Sequence, residues 1–362
     1  MANNKNRLTQ LQAAMQAANV DLVAVGPTAN MRYLLGYVPH PDERLCLLLV
    51  SAQKVGMVVP TLNAADVAAH LDLPLERWPD AEGPQQALQR AVSGLAVKRL
   101  AIDGTMRADF LLTLLAATTP PETITIEPLL APLRARKAAE EIEALALAAA
   151  QAGRAMQAGI AACRPGVTEA EVAWVVEEAF RKDGAETVTF TLIASGPNGA
   201  FPHHHSGSRC LQTGDAIILD IGATLNGYQS DITRTIFLGE PPAEFLQTYE
   251  AVLTANERGR AAVKPGVTAQ AVDQATRSIL EAAGYGEYFI HRTGHGLGLE
   301  IHEAPYIMAG NELILEEGMV FSVEPGVYLP GQFGIRIEDI VAVTATGVRT
   351  LTTFDRQLVV KR

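Results

Sequence analysis

Apolar positions in the first third of the chain follow two periods. Leu8, Leu11, Met15 and Ala18 share one face of a helix predicted over 7–18. A short strand follows at 21–25, closed by Gly26-Pro27, and apolar runs at 45–50, 55–59 and 99–102 read as further strands with helices between them. A short strand at 123–126 follows a Pro-containing patch, and from about 130 to 162 the pattern becomes a long helix rich in Ala, Glu, Leu, Arg and Lys. This predicts a small α/β unit over 1–125 and a second unit over 126–362. The first unit contains His40 and His70 but no cluster of ligand-type residues.

The second unit repeats itself. Pro-Gly-Val-Thr occurs at 165–168 and again at 265–268, each time after an Ala-rich helix and before another helix. Thr168 with Glu171 forms a capping box, which starts the second helix at Thr168. Gly184 and Gly284 end the following helices at the same offset. Strand-like runs come next in both copies, so two half-domains of one plan are expected to face each other.

Length and composition narrow the class. A chain of 362 residues suits two domains, and 48% apolar residues suffice for a large core. The net charge of −11, without a Lys/Arg cluster, argues against a nucleic-acid partner. Cys46, Cys163 and Cys210 are far apart and match no zinc or CxxC spacing, as expected in a reducing cytoplasm. No signal-peptide pattern opens the chain, and no apolar segment approaches the roughly 20 residues that span a bilayer. A cytoplasmic protein without a membrane partner is expected.

Candidate chemistry begins at a hairpin. Asn226-Gly227 joins two strand-like runs as a two-residue turn, which pairs Leu225 with Tyr228 and, counting back, Gly222 with Asp231. Asp220 then shares the face of Gly222 and lies diagonal to Asp231, within about 7–8 Å. Gly222 would leave room for an ion. Alone, the hairpin fits carboxylates that meet water or Arg234 as well as it fits a cation site.

The other half adds ligand types. His295 and His302 stand in the Gly-rich run 293–302, with His291 four residues before the first. An apolar strand ends on Glu324, and alternation over 335–341 puts Arg336, Glu338 and Ile340 on one face, Ile337, Asp339 and Val341 on the other. Either glutamate alone could be a buried ion pair with an arginine. Together, four carboxylates and one imidazole favour Mn²⁺, or Co²⁺ or Zn²⁺, over a thiolate-type site, with enough charge for two divalent ions.

These motifs resemble those of the proline-specific metallopeptidases of the pita-bread fold, Xaa-Pro dipeptidase and aminopeptidase P. The resemblance covers nearly the whole chain. The opening Arg-Leu-x-x-Leu and the run 30–37 are similar to the creatinase-type N-terminal α/β domain. The family's Asp pair, eleven apart, falls on Asp220 and Asp231; its Gly-His-Gly histidine on His295; its Val-Glu-Pro-Gly and Arg-Ile-Glu-Asp glutamates on Glu324 and Glu338. The Pro-His histidine falls on His203 and the substrate-side histidine on His302. Methionine aminopeptidases space the glutamates further apart, and creatinase lacks this metal set.

The resemblance implies an α+β fold with pseudo-twofold half-domains and hydrolysis of Xaa-Pro bonds in proline-containing peptides by two ions. In it Asp220 chelates one ion and His295 the other, Asp231 and Glu338 bridge, and Glu324 is both ligand and general base. His203 and His302 hydrogen-bond the developing oxyanion or the leaving nitrogen. Arg336 is expected to orient Glu338, and His291 the His295 loop; His204 and His205 read as loop residues. A homodimer is implied. One departure concerns substrate length: several dipeptidases carry a carboxylate-binding Arg where this chain has Tyr306. Tripeptides are therefore expected to be cleaved at least comparably to dipeptides, with a strict dipeptidase, or a non-peptidase hydrolase or lyase, as the alternative.

Overall fold

In the first third, short apolar strands gather into one six-stranded sheet of order β4-β3-β2-β1-β5-β6. These are β1 (Leu22–Val25), β2 (Leu47–Ser51), β3 (Val55–Pro60), β4 (Leu75–Trp78), β5 (Arg99–Ile102) and β6 (Glu122–Thr125). β2 runs antiparallel to both β1 and β3, and the other pairs are parallel. The helices are α1 (Ala2–Ala17), α2 (Ala29–Leu35), α3 (Ala64–His70), α4 (Gln85–Val92), α5 (Ala108–Thr118) and α6 (Glu127–Ala135). Leu47, Val58, Leu88 and Phe110 meet in the core. Strand β4 escapes the sequence pattern because polar Glu76 and Arg77 occupy its middle. This is a computed structural model describing residues 2–362, and its two compact units divide between Arg134 and Ala135.

That division falls beyond residue 125 for a packing reason. Ile126, Leu129 and Leu130 are buried, and Arg134 Nη1 donates to Asn30 Oδ1 at 2.5 Å, so α6 belongs to the first unit. The long helix expected over 130–162 is thus two helices. The chain is pulled extended between them, where Arg136 pairs with Met319, Lys137 N donates to Gly318 O at 2.8 Å and Lys137 Nζ meets buried Glu303 at 2.7 Å.

The second unit contains α7 (Ala139–Ala162), α8 (Glu169–Lys182), β7 (Thr187–Ser195), β8 (Ala216–Leu225), β9 (Tyr228–Gln229), β10 (Ile232–Leu238), α9 (Ala243–Ala262) and α10 (Ala269–Ala282). It continues through β11 (Gly294–Gly296), β12 (Glu303–Ile307), β13 (Val320–Val323), β14 (Gly326–Leu329), β15 (Phe333–Arg336), β16 (Asp339–Val343), β17 (Val348–Thr350) and β18 (Val359–Lys361). One sheet has the order β18-β10-β8-β7, with β9 on β8; a second is β12-β11-β13-β16-β17, and β14 pairs with β15. Met156, Val176 and Phe180 pack on Leu219 and Ile236 of the first sheet. Val272 packs on Ile307, Phe321 and Val341 of the second.

The repeated string builds the same local structure twice. Gly166 and Gly266 both have φ 88°. Thr168 and Thr268 cap α8 and α10, accepting from the N–H three residues on at 3.2 Å in each case. Leu211 and Leu315 return equivalent backbone bonds to Val167 and Val267, both at 2.8 Å. Both helices end with φ 85° at Gly184 and Gly284, and the next N–H reaches back to Phe180 O and Leu280 O, closing a Schellman motif.

Candidate metal centre

The Asn226-Gly227 turn sets the register of the first two carboxylates. Both residues have positive φ, 52° and 81°, as a type I′ hairpin requires. Leu225 faces Tyr228, and the same register continues to Ile221 opposite Ile232 and Asp220 opposite Thr233. Asp220 and Asp231 therefore share a sheet face as predicted. Gly222 has another role than the expected one. A Cβ there would lie 2.4 Å from Ser230 O and 2.6 Å from the Phe190 ring, so the glycine admits those groups and leaves no space for an ion.

His295 is brought in by close backbone approach. A Cβ at Gly294 would stand 1.8 Å from Ser322 O, so β11 fits against β13, the strand that leads into Glu324. Ser322 Oγ accepts from His295 N at 3.0 Å and donates to Glu324 Oε1 at 3.2 Å. His295 Nδ1 donates to Gly296 O at 3.1 Å and thereby turns Nε2 toward the carboxylates. Nε2 is 3.6 Å from Asp231 Oδ2 and 3.4 Å from Glu324 Oε1.

Glu338 arrives differently from the sequence reading. Residues 335–341 are not one strand: Arg336 ends β15, which pairs with β14, whereas Asp339 starts β16, which pairs with β13. Asn256 Nδ2 donates to Val323 O and Ile337 O at the crossing, at 2.9 and 3.3 Å. Glu338 N then donates to Thr233 O at 3.1 Å, and Thr233 Oγ1 donates to Glu338 Oε2 at 2.7 Å. Arg336 makes no direct bond to Glu338. It donates to Asp220 Oδ2 at 2.5 Å, to Thr233 Oγ1 at 3.2 Å and to Tyr328 Oη at 2.8 Å.

This cluster lacks charge balance. Ligand atoms of Asp231, His295 and Glu338 lie within 4.8 Å of one another. Asp220 Oδ1 and Glu338 Oε1 are buried without a hydrogen-bond partner. Burial, then repulsion from Glu338, Asp220 and Glu324, pushes the Asp231 carboxyl well above its usual range. Burial, then Glu324 and Asp220, does the same to Glu338. Glu324 rises to about 7 through burial, with Asp220 adding to it, and burial lowers His295 to about 3, keeping its imidazole neutral. Four carboxylates, a neutral imidazole and orphaned buried oxygens fit divalent cations, which would supply the missing charge.

Around it lies a cavity of about 880 Å³, lined in part by Phe190, His203, Arg292, Ile301, His302 and Met308. The His302 ring stands edge-on to His295, with centroids 4.1 Å apart. Tyr306 is opposite His295 on β12, and the Arg292 guanidinium lies over its ring at 4.6 Å from the centroid. His291 makes no hydrogen bond to His295. Its Nδ1 donates to Arg292 O at 2.7 Å and its Nε2 accepts from Tyr328 Oη at 2.8 Å, which extends a chain through Arg336 to Asp220. Burial holds His291 down at about 3.

Sequence reasoning missed three supports. Thr233 and Tyr328 sit in apolar strands and carry no signal of their own. The third is Glu169, a buried carboxylate that accepts from Ser195 N at 2.8 Å, Ser195 Oγ at 2.6 Å, Asn198 Nδ2 at 3.0 Å, Gly207 N at 3.2 Å and His204 Nε2 at 2.8 Å. Burial works against its ionisation, but the bonds from Ser195, His204 and Asn198 hold its carboxyl below the usual range. His204, expected to be a plain loop residue, thus anchors the loop that presents His203.

Fold and cluster together define a metal-dependent hydrolase: two half-domains of one plan bring oxygen-rich ligands to one cavity. The chain belongs to metallopeptidase family M24, whose model matches residues 143–345, and residues 7–136 match the Creatinase/Prolidase N-terminal domain. The fold is the pita-bread catalytic domain preceded by a creatinase-type domain. Over 98% of its length the chain is 40% identical to a protein described as probable dipeptidase PepE of Mycobacterium tuberculosis, covering 96% of that protein. It is 36% identical to the Xaa-Pro dipeptidase of Pyrococcus furiosus, covering 98% of this chain and 99% of that protein. The solved structure of a prolidase from Thermococcus sibiricus superposes with a TM-score of 0.94 at 37% identity, covering 98% of each chain. Among the described residues no helix is long and apolar enough to cross a membrane.

Proposed function

We propose that this chain hydrolyses the bond between an N-terminal residue and proline in Xaa-Pro peptides, using two divalent ions held by Asp220, Asp231, His295, Glu324 and Glu338. The observation that carries this reading is the convergence of those five side chains, two of whose buried oxygens have no partner, on one cavity. The oxygen-rich donor set favours manganese, then cobalt or zinc. Such a pair of ions lowers the pKa of bound water and polarises a carbonyl oxygen.

The chain's own groups supply the rest. Glu324, raised to about 7 without cations, is suited to take a proton from the attacking water. His302 and His203 line the cavity beside the cluster and serve as donors to the developing oxyanion or the leaving proline nitrogen. Arg336 fixes the Asp220 carboxylate, and Thr233 fixes Glu338. The apolar side chains of Phe190, Ile301 and Met308 give a proline ring surface to bury. A cytoplasmic setting suits the three free cysteines, and the family resemblance implies a homodimer, which sedimentation analysis tests.

The direct test compares kcat/KM for Ala-Pro and Ala-Ala after loading with Mn²⁺. Ala-Pro is expected to be cleaved and Ala-Ala to be far slower. Equal cleavage of both, or of neither, overturns the proline reading.

A further inference from the structure

Arg292 has an unusual position. It stands between two anchored neighbours: His291 O accepts from Arg277 Nη2 at 2.9 Å, and Thr293 Oγ1 donates to Asp273 Oδ1 at 2.7 Å. Its own carbonyl is held by His291 Nδ1 at 2.7 Å. The base of the side chain is therefore fixed, and the guanidinium lies over the Tyr306 ring and lines the cavity. Among the described residues it has no carboxylate partner, in contrast to Arg336, Arg234 and Arg277, which each meet an aspartate. Over the ring, and with no hydrogen bond from its N–H groups among the described residues, the guanidinium keeps its donors available. A half-buried cation with free donors, walled into a cavity beside the reacting centre, is a binding site for an anion.

We infer that Arg292 is the substrate-length determinant of this enzyme: seated on Tyr306, it binds the free carboxylate that follows proline in a dipeptide. The inference rests on the Xaa-Pro reading above and deepens it. Tyr306 alone offers only a hydroxyl and predicts tolerance of longer peptides. Tyr306 as a platform for Arg292 predicts the opposite. A planar fork on a rigid base suits a carboxylate bidentately, whereas a neutral amide or a further peptide bond gives it no charge to neutralise.

The test has a catalytic and a binding arm on the metal-loaded protein. The first measures kcat/KM for Ala-Pro, Ala-Pro-NH₂ and Ala-Pro-Ala. Wild type is expected to prefer the free dipeptide by about 30-fold or more, Arg292→Met to bring the ratios to within about threefold of one, and Arg292→Lys to keep an intermediate preference. The second arm measures calorimetric binding of L-proline against L-prolinamide, with wild type favouring proline by about tenfold or more and Arg292→Met abolishing the difference. A wild type indifferent to the carboxylate in both arms overturns the inference, as does an Arg292→Met protein that keeps the wild-type ratios. Carboxylate-selective binding that depends on Arg292, in a protein that cleaves no Xaa-Pro substrate, upholds Arg292 and overturns the Xaa-Pro reading instead.

Discussion

Arg336 Nη2 lies 2.5 Å from Asp220 Oδ2, and this buried ion pair ties the end of β15 to the middle of β8. The same guanidinium reaches Glu338 only through the Thr233 hydroxyl. One arginine thus positions a carboxylate from each half of the domain. Arg336→Met is expected to lower kcat/KM or metal affinity by roughly 10–100-fold, the usual effect of losing a group that orients a ligand. Metal content and kinetics of the variant check this, and an unchanged enzyme would show that Asp220 needs no such support.

Glu324 and His203 are assigned different duties, and two variants separate them. Glu324→Gln is expected to abolish turnover because, on the proposed assignment, it removes both a ligand and the base. His203→Ala is expected to keep its metal and lose roughly 10²–10⁴ in rate. Metal analysis beside kcat decides the point, since loss of metal from His203→Ala would make it a ligand.

Stability should fall with rising pH in the cation-free protein and much less in the metal-loaded one. In the cation-free protein the Glu324 carboxyl is raised to about 7 from 4.5. A raised carboxyl contributes stability that is complete below about pH 4.5 and is lost as pH rises through about 7. Asp231 and Glu338 are shifted in the same direction. Bound cations remove this loss, so the Tm difference between metal-loaded and chelated protein is expected to widen from about pH 5.5 to about pH 8.5. Thermal scans across that range check it, and a constant or narrowing difference would contradict the charge argument.

Glu169 is expected to matter for both stability and rate. Glu169→Gln puts an amide among five donors, at a predicted cost of roughly 1–3 kcal/mol. His204→Ala removes only one of those contacts and should cost less. Both should lower kcat with metal content intact, because the His203 loop loses its anchor. Denaturant unfolding and metal analysis test the pair.

Much of this site could be read from the sequence where a local rule fixed geometry. The Asn226-Gly227 turn dictated the register that sets Asp220 diagonal to Asp231, and the duplicated Pro-Gly-Val-Thr string announced two equivalent helix pairs. Strand alternation failed at 335–341, because tertiary bonds from Asn256 and Thr233 carry the chain from one sheet to another. That crossing turns Arg336 to Asp220. The Glu169 cluster and the Tyr328 relay join residues 26 to 38 and 8 to 37 positions apart, beyond the reach of any period.

In the proposed mechanism the five converging side chains hold two ions on which Xaa-Pro hydrolysis depends. Titrating Mn²⁺ into exhaustively chelated protein while following Ala-Pro cleavage tests it most directly. Activity is expected to be absent at the start and to saturate near about two equivalents per chain. Full activity in the chelated protein, or no response to any divalent ion, would contradict it.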